Sequence, residues 1–353
     1  MMRPPAAWRL VESTTSSGYP FSYYERVMPR IPDQLLNSVV YLFQDEEDAR
    51  TGRGSGGTAF LVDYPGEQGI RHRYVVSNSH VVFSGCTTLR INKRDGGVDT
   101  ATIPAEAWEK HDDGDDVAIA PMGELPLEWS IAALQWEDMF PTPERLAELN
   151  VGLGDDVFML GRFVGHTGQQ QNQPLARFGS LAMMDGERVK DGRGFLVDAY
   201  LADMRSLPGF SGSPVFIAIG AGSYRGVSGS EKEATMMPFY SETIGLLGID
   251  TGHKMIEHRV LDCERRKVEP AQYVKQNSGI AIVAPYYKIN DVLQGPKLMK
   301  KRAKAEAMEL ADPERGVSDI APDDDEFERF EDFTRKLVNI PKKEIDKKRK
   351  EEG

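Results

Sequence analysis

The stretch LPGFSGSPVF, residues 207–216, places a serine between two glycines and follows it with a proline and a run of β-forming residues. Glycine adopts positive φ without strain, so Gly209 allows a tight turn that presents the hydroxyl of Ser211. On such a turn the N–H groups of Gly209 and Ser211 can converge on a developing oxyanion, where each donor lowers the barrier by about 3 kcal/mol. A serine hydroxyl is a poor nucleophile at neutral pH, so the chain must also supply a histidine base and an acid that orients it.

Among the six histidines, His80 is the one that ends an apolar, strand-like run and opens another, in YVVSNSHVVFSG. A strand end fixes a side chain better than a mobile loop does, so His80 is the candidate base. The others lie in charged or glycine-rich surroundings without the Cys or carboxylate pattern of a metal site, and we expect no metal or cofactor. They are His72, His111, His166, His253 and His258.

The segment HDDGDDVAIAPM offers four neighbouring aspartates as the orienting acid. Asp116 directly precedes the strand-like VAIA and is the first candidate, with Asp115 as the alternative. The chain order is then His, Asp, Ser, which excludes the α/β-hydrolase and subtilisin orders. The hydrolase motif G-x-S-x-G also fails, because Ser213 stands where its last glycine belongs.

From Leu35 onward the chain consists mostly of short β-branched and apolar runs separated by Gly, Asp and Pro. Many short strands with turn residues between them predict a closed barrel or a sandwich. Two segments have helical patterns: TPERLAELN, with Thr142 as its N-cap, and YYKINDVLQ after Pro285. The chain is therefore predicted to be all-β, with a helix near its C-terminal end.

The blocks SNSHVV, DDVAIA and PGFSGSPVF, in this order, resemble the three catalytic blocks of chymotrypsin-fold serine peptidases. The resemblance is to the bacterial trypsin-like branch near the HtrA/Deg proteases, and it spans about Leu35 to Leu293. The segments GGTAFLV, LGDDVFMLGRFVG, LLGIDTG and NSGIAIVAPYYKINDVL are also similar to that family. This sequence departs from the family pattern at Phe210 and Ser213. No PDZ-like sequence follows, so we do not carry over the HtrA oligomer or its peptide-sensing apparatus.

The resemblance implies a double six-stranded β-barrel with a C-terminal helix, and a serine endopeptidase acting through an acyl-enzyme. It assigns the base to His80, the acid to Asp116 and the nucleophile to Ser211, in the cleft between the barrels. If Asp250 points into the primary specificity pocket it would attract a basic substrate side chain, and if it pairs with Arg205 the pocket would suit an apolar one. The residues implied to line this pocket are Arg205, Ser206, Asp250, Thr251, Gly252 and Ala281.

We expect three regions: an extended N-terminal arm over residues 1–34, the peptidase domain over 35–295, and a charged, partly helical tail over 296–353. In the tail, apolar residues at helical spacing would form one stripe, either on a solvated helix or on a docking helix for a protein partner. These residues are Phe327, Phe330, Phe333 and Leu337.

The formal charge of -12 argues against nucleic acid or anionic membrane as partners. Two cysteines, Cys86 and Cys263, are too few for a disulfide scaffold. The sequence shows no signal peptide and no apolar stretch of about eighteen residues, so we expect a cytoplasmic protein. Three functions stay open: an active peptidase, a silent barrel that binds a peptide or partner, and a peptidase held inactive until a partner binds its arm or tail.

Overall fold

In the computed structural model the chain forms two units, residues 1–300 and 301–353. Most of the predicted arm and tail, including Phe327, Phe330, Phe333 and Leu337, lies outside the described residues. The structure describes residues 30–311 except 124, 185–186, 220–223, 226–234, 237–242 and 268–269.

The N-terminal half contains one eight-stranded sheet in the order β5-β4-β1-β2-β3-β7-β6, with β8 paired in parallel to β2. Its strands are β1 Val39–Phe43, β2 Gly56–Pro65, β3 Arg71–Ser77, β4 Thr88–Asn92, β5 Val98–Thr102, β6 Glu109–Lys110, β7 Ala118–Pro121 and β8 Leu134–Gln135.

The C-terminal half closes into a six-stranded barrel, β10-β13-β18-β17-β14-β9, beside two short hairpins, β11–β12 and β15–β16. Its strands are β9 Asp156–Gly161, β10 Leu175–Met183, β11 Val189–Lys190, β12 Leu196–Val197, β13 Tyr200–Asp203, β14 Pro214–Ile219, β15 Tyr224–Arg225, β16 Thr235–Met236, β17 Thr243–Arg259 and β18 Tyr273–Pro285.

The chain consists mostly of β-strands, as predicted, but the double barrel is not confirmed. The C-terminal sheet closes on itself, whereas the pairing of the N-terminal sheet runs as an open path from β5 to β6. The arrangement is consistent with a chymotrypsin-like fold.

Six of the described helices have four to eight residues, and the last, which follows the final strand, has 16. The Thr142 cap is confirmed, because its hydroxyl oxygen accepts from the N–H of Arg145 at 3.2 Å, and so is the helix after Pro285. No helix in the described ranges is long and apolar enough to cross a membrane. The helices are α1 Asp33–Asn37, α2 Glu46–Thr51, α3 Ser79–Phe83, α4 Trp136–Met139, α5 Pro143–Glu148, α6 Tyr286–Leu293 and α7 Pro296–Ala311, with 3-10 turns at Glu67–Gly69 and Ala105–Ala107.

The continuous apolar run of β1 is buried on both faces of the sheet. Successive side chains of a strand point to opposite faces, so Tyr41 and Phe43 enter one core cluster while Val40 and Leu42 enter another. The first cluster also contains Phe216 of the C-terminal barrel. This shared core holds the two halves together and fixes the relative positions of the loops that carry the candidate site residues.

Candidate active site

His80 lies in the first turn of α3, directly after β3. The sequence analysis placed it at a strand end, and the strand ends three residues earlier. The chain leaves the sheet there because the intervening polar side chains bond elsewhere: Asn78 Nδ2 donates to the Asp116 carbonyl at 2.7 Å and Ser79 Oγ donates to the Val117 carbonyl at 2.8 Å. These two bonds fasten the base of α3 to the segment that carries the acid.

The structure brings His80 and Asp116 into double contact. His80 Nδ1 lies 2.6 Å from Asp116 Oδ2, and the His80 backbone N–H donates to Oδ1 at 2.9 Å. The Asp116 side chain is 5% exposed and the His80 side chain 38% exposed. A carboxylate at Nδ1 selects the tautomer whose Nε2 can accept a proton, so the imidazole is oriented for general-base chemistry on its exposed side.

Asp115, the alternative acid, forms its ion pairs with residues other than His80. Its carboxylate lies 2.7 Å from Lys288 Nζ on α6 and 3.4 Å from His111 Nδ1. Lys288 also contacts Asp198 at 3.2 Å. Although burial lowers the pKa of Lys288, its bonds to Asp115 and Asp198 outweigh that effect and raise it. Asp115 therefore belongs to a buried ion network that ties the acidic loop to α6.

A cation, Arg193, approaches Asp116 from the loop between β11 and β12. Arg193 Nη1 lies 3.7 Å from Asp116 Oδ1, while its Nε lies 2.9 Å from Asp191 Oδ2. Asp191 also accepts from the N–H groups of Arg193 and Phe195, both at 2.9 Å, which fixes the turn. Sequence reasoning missed Arg193, because nothing in the polar turn DGRGF marks a contact with a residue 77 positions earlier.

Ser211 lies on the predicted glycine turn, with Gly209 at φ +97° and Gly212 at φ +89°. Thr58, near the start of β2 in the N-terminal half, holds this turn through two hydrogen bonds. Its N–H donates to the Ser211 carbonyl at 2.8 Å and its hydroxyl donates to the Gly209 carbonyl at 2.7 Å. Thr58 was also missed, although a threonine inside the glycine-rich GGTAFLV is the kind of signal that marks such a contact.

Gly57 shows how closely the two segments meet. A Cβ built on it would lie 2.7 Å from Val81 Cγ1, next to His80, and 2.9 Å from the Ser211 carbonyl oxygen. The serine and histidine segments thus contact the same glycine. Ser211 Oγ and His80 Nε2, both described, make no hydrogen bond with each other.

The turn leaves two N–H groups available. The N–H groups of Phe210, Gly212 and Ser213 donate to backbone carbonyls. Within the described part of the chain, those of Gly209 and Ser211 have no acceptor. These are the two donors that the sequence analysis assigned to an oxyanion.

Asp250 does not pair with Arg205, which was the second of the two alternatives for the specificity pocket. It is completely buried and accepts from Ser206 Oγ at 2.8 Å, whereas Arg205 is exposed and forms no ion pair with any described residue. Burial raises the pKa of Asp250 to about 7, although the bond from Ser206 opposes the rise. This acid therefore changes its charge near neutral pH.

The other predicted pocket residues lie on the paired strands β17 and β18. Thr251 occupies a register shift between Asp250 and Gly252, and its hydroxyl donates to the Ile282 carbonyl at 3.1 Å. Gly252 has φ +140°. Ala281 is buried in the barrel core, so it contributes to the wall behind a pocket rather than to its surface.

No family model and no curated protein matches the chain. Among solved structures, it is similar to Deg5 (TM-score 0.36, 15% identity, covering 62% of this chain and 81% of that one). It is also similar to the HtrA-type protease AlgW with a decapeptide (0.36, 16%, 68% and 52%) and to a variant of AlgW with a decapeptide (0.39, 15%, 73% and 63%). The chain thus spans less than two thirds of both AlgW chains. At these TM-scores the likeness carries no argument about activity, which has to be argued from the site itself.

Proposed function

We propose that this protein is a trypsin-like serine endopeptidase that cleaves protein substrates through an acyl-enzyme at Ser211. The observation that carries the proposal is the buried Asp116 carboxylate bonded to Nδ1 of a partly exposed imidazole. A merely structural histidine is usually buried with both nitrogens satisfied, whereas His80 keeps Nε2 on its exposed side. We also propose that the eight-stranded N-terminal sheet, whose pairing runs as an open path, takes the place of the first barrel of the implied architecture.

In the proposed reaction, Ser211 Oγ attacks the scissile carbonyl carbon while its proton passes to His80 Nε2. Asp116 remains ionised and stabilises the imidazolium that forms. The negative charge on the substrate oxygen is stabilised by the N–H groups of Gly209 and Ser211. His80 then gives its proton to the leaving amine, the acyl-enzyme forms, and the same base activates the water that releases the product.

Ser211 Oγ and His80 Nε2 are not hydrogen-bonded, so the proposed reaction requires a movement that brings them together. Because Thr58 holds the backbone of the turn, we propose that this movement is a rotation of the serine side chain about χ1. A rotation between staggered positions is fast and small compared with a loop movement. We propose that bound substrate selects the rotamer in which Oγ reaches Nε2.

For specificity, we propose a pocket lined by Arg205, Ser206, Thr251 and Gly252, with Asp250 and Ala281 in the wall behind it. Because burial raises its pKa to about 7, Asp250 is neutral in mildly acidic solution and charged in alkaline solution. A basic P1 side chain would then be favoured as pH rises above neutral.

A second candidate is a silent barrel that binds a peptide or partner, and the missing Ser211–His80 hydrogen bond favours it. Labelling with a fluorophosphonate probe separates the two. We expect a covalent adduct on the wild type, none on Ser211→Ala, and an unchanged adduct on Ser84→Ala, a control that removes an exposed serine at the end of α3. An unlabelled wild type would favour the binding module, and labelling that persists in Ser211→Ala would refute the assignment of the nucleophile.

A further inference from the structure

Two arginines are the largest fully buried side chains of the molecule's described part. Arg90 lies in the middle of β4 and is 0% exposed, and Arg162 follows β9 and is 1% exposed. Arginine is almost never fully buried unless its charge is paired, because a guanidinium stays protonated and loses its hydration. Neither residue belongs to the proposed active site.

The described partners of both guanidinium groups are neutral. Arg90 Nη1 donates to Asn172 Oδ1 and its Nη2 to the Gln169 carbonyl, both at 3.0 Å. Arg162 Nη2 donates to the Gly54 carbonyl at 2.8 Å. No described carboxylate lies within ion-pair distance of either group.

Three N–H positions of the pair also have no acceptor among the described residues: Arg90 Nε, Arg162 Nε and Arg162 Nη1. The Phe43 ring, 4.3 Å from Arg162 Cζ, compensates in part, because the face of an aromatic ring attracts a cation. A buried charge without a charged partner remains strongly destabilising. Asp48 favours the charged form of Arg162, but burial outweighs it and the pKa of Arg162 is lowered.

The two guanidinium groups line the same glycine-rich loop, GRGSGG, residues 52–57. A Cβ on Gly52 would lie 3.4 Å from Arg90 Nη1, and a Cβ on Gly56 would lie 2.9 Å from Arg162 Nη1. Burial lowers the pKa of both arginines, and the nearby charge of Arg90 lowers the pKa of Arg162 further. A side chain at Gly52 or Gly56 would thus occupy the space beside one of the two guanidinium groups.

We propose that Arg90 and Arg162 together bind one small monovalent anion of the size of chloride or bromide. Such an ion accepts hydrogen bonds from several guanidinium N–H groups at once and neutralises one of two uncompensated charges. The close approach of Gly52 and Gly56 excludes a polyanion or a lipid headgroup.

The site adjoins the loop that precedes Ser211. The N–H of Arg162 donates to Thr58 Oγ1 at 2.9 Å, and the same hydroxyl donates to the Gly209 carbonyl. The proposal is nevertheless independent of the proposed function, because it concerns charge compensation in the fold and its tests need no substrate.

The first test measures thermal unfolding while chloride replaces gluconate at constant ionic strength, gluconate being too large for the site. The melting temperature of the wild type should rise with chloride, and that of Arg162→Met should not respond. The control Arg188→Met removes an exposed arginine paired with Asp198 and should keep the wild-type response. An equal chloride response in the wild type and Arg162→Met would overturn the site.

The second test does not depend on a variant that folds. Crystals of the wild type grown in bromide should show an anomalous-scattering peak within hydrogen-bond distance of Arg162 Nε or Nη1. If the diffraction shows bromide elsewhere and none beside either arginine, the proposal is wrong.

Discussion

The two halves of the molecule hold their site residues by different means. In the N-terminal half, side chains do the positioning: Asn78 and Ser79 bond α3 to the segment of Asp116. In the C-terminal half, the backbone does it: the Gly212 N–H donates to the Asp250 carbonyl and the Asp250 N–H donates to the Ser213 carbonyl, both at 2.9 Å.

This difference follows from the architecture of each half. The closed barrel supplies a continuous strand, β17, against which the serine turn can form backbone hydrogen bonds. The segment of His80 leaves its sheet before the histidine, and polar side chains replace the ladder bonds that the strand no longer provides. The position of His80, the proposed base, should therefore be sensitive to the loss of polar side chains, and that of Ser211, the proposed nucleophile, to the addition of a Cβ.

The largest effect is expected at the acid. Asp116→Asn should lower kcat by about 10⁴-fold with little change in stability, because an amide at this position favours the wrong tautomer of His80. Steady-state kinetics on a peptide substrate, with melting temperatures alongside, would measure it. Asp115→Asn is the matched control: it should lower stability through the ion network of Lys288 and largely keep kcat. Equal losses of kcat in both variants would contradict the division of roles.

The next effect is a pH dependence of stability that comes from the C-terminal half. Between the ordinary pKa near 4 and about 7, folded Asp250 keeps a proton that the unfolded chain has lost. The free energy of unfolding should therefore fall as pH rises through this window, by up to about 4 kcal/mol, and stay level above it. Urea unfolding of the wild type and Asp250→Asn from pH 4 to 8 would show this as a difference confined to the window. Parallel curves would contradict it.

Gly212→Ala should cost about 3 kcal/mol or more of stability. At φ +89° any Cβ is strained, and here it would also overlap the Thr58 carbonyl oxygen. Gly114→Ala is the control, since it has φ +83° but nothing within 4 Å of its Cβ, and it should show only the strain of about 1 kcal/mol. If the two variants unfold at the same urea concentration, the backbone of the turn is not as tightly held as we infer.

The smallest effect is expected from the side-chain contacts of α3. Asn78→Ala removes a buried hydrogen bond to the Asp116 carbonyl and should cost about 1–2 kcal/mol of stability. Ser79→Ala, at a partly buried position, should cost less. Chemical denaturation of both variants would rank them, and a larger loss for Ser79→Ala would reverse our account of what holds the base.

The sequence by itself determined the local features. The spacing of apolar runs predicts the strands, Thr142 predicts a cap, and Gly209 predicts a residue at positive φ, because each depends on neighbours within a few positions. The nearness of His80 and Asp116 could also be expected, although that expectation came from the order of three blocks rather than from geometry.

Only the tertiary structure decided which neighbouring aspartate faces His80, since Asp115 and Asp116 differ in the partners that α3 and α6 bring to them. It also decided that Asp250 bonds Ser206 and that Arg90 and Arg162 are buried together. It closed one sheet into a barrel and left the other as an open path. The physical reason is that these outcomes depend on hydrogen bonds and charges between residues tens to more than a hundred positions apart, which no local pattern records.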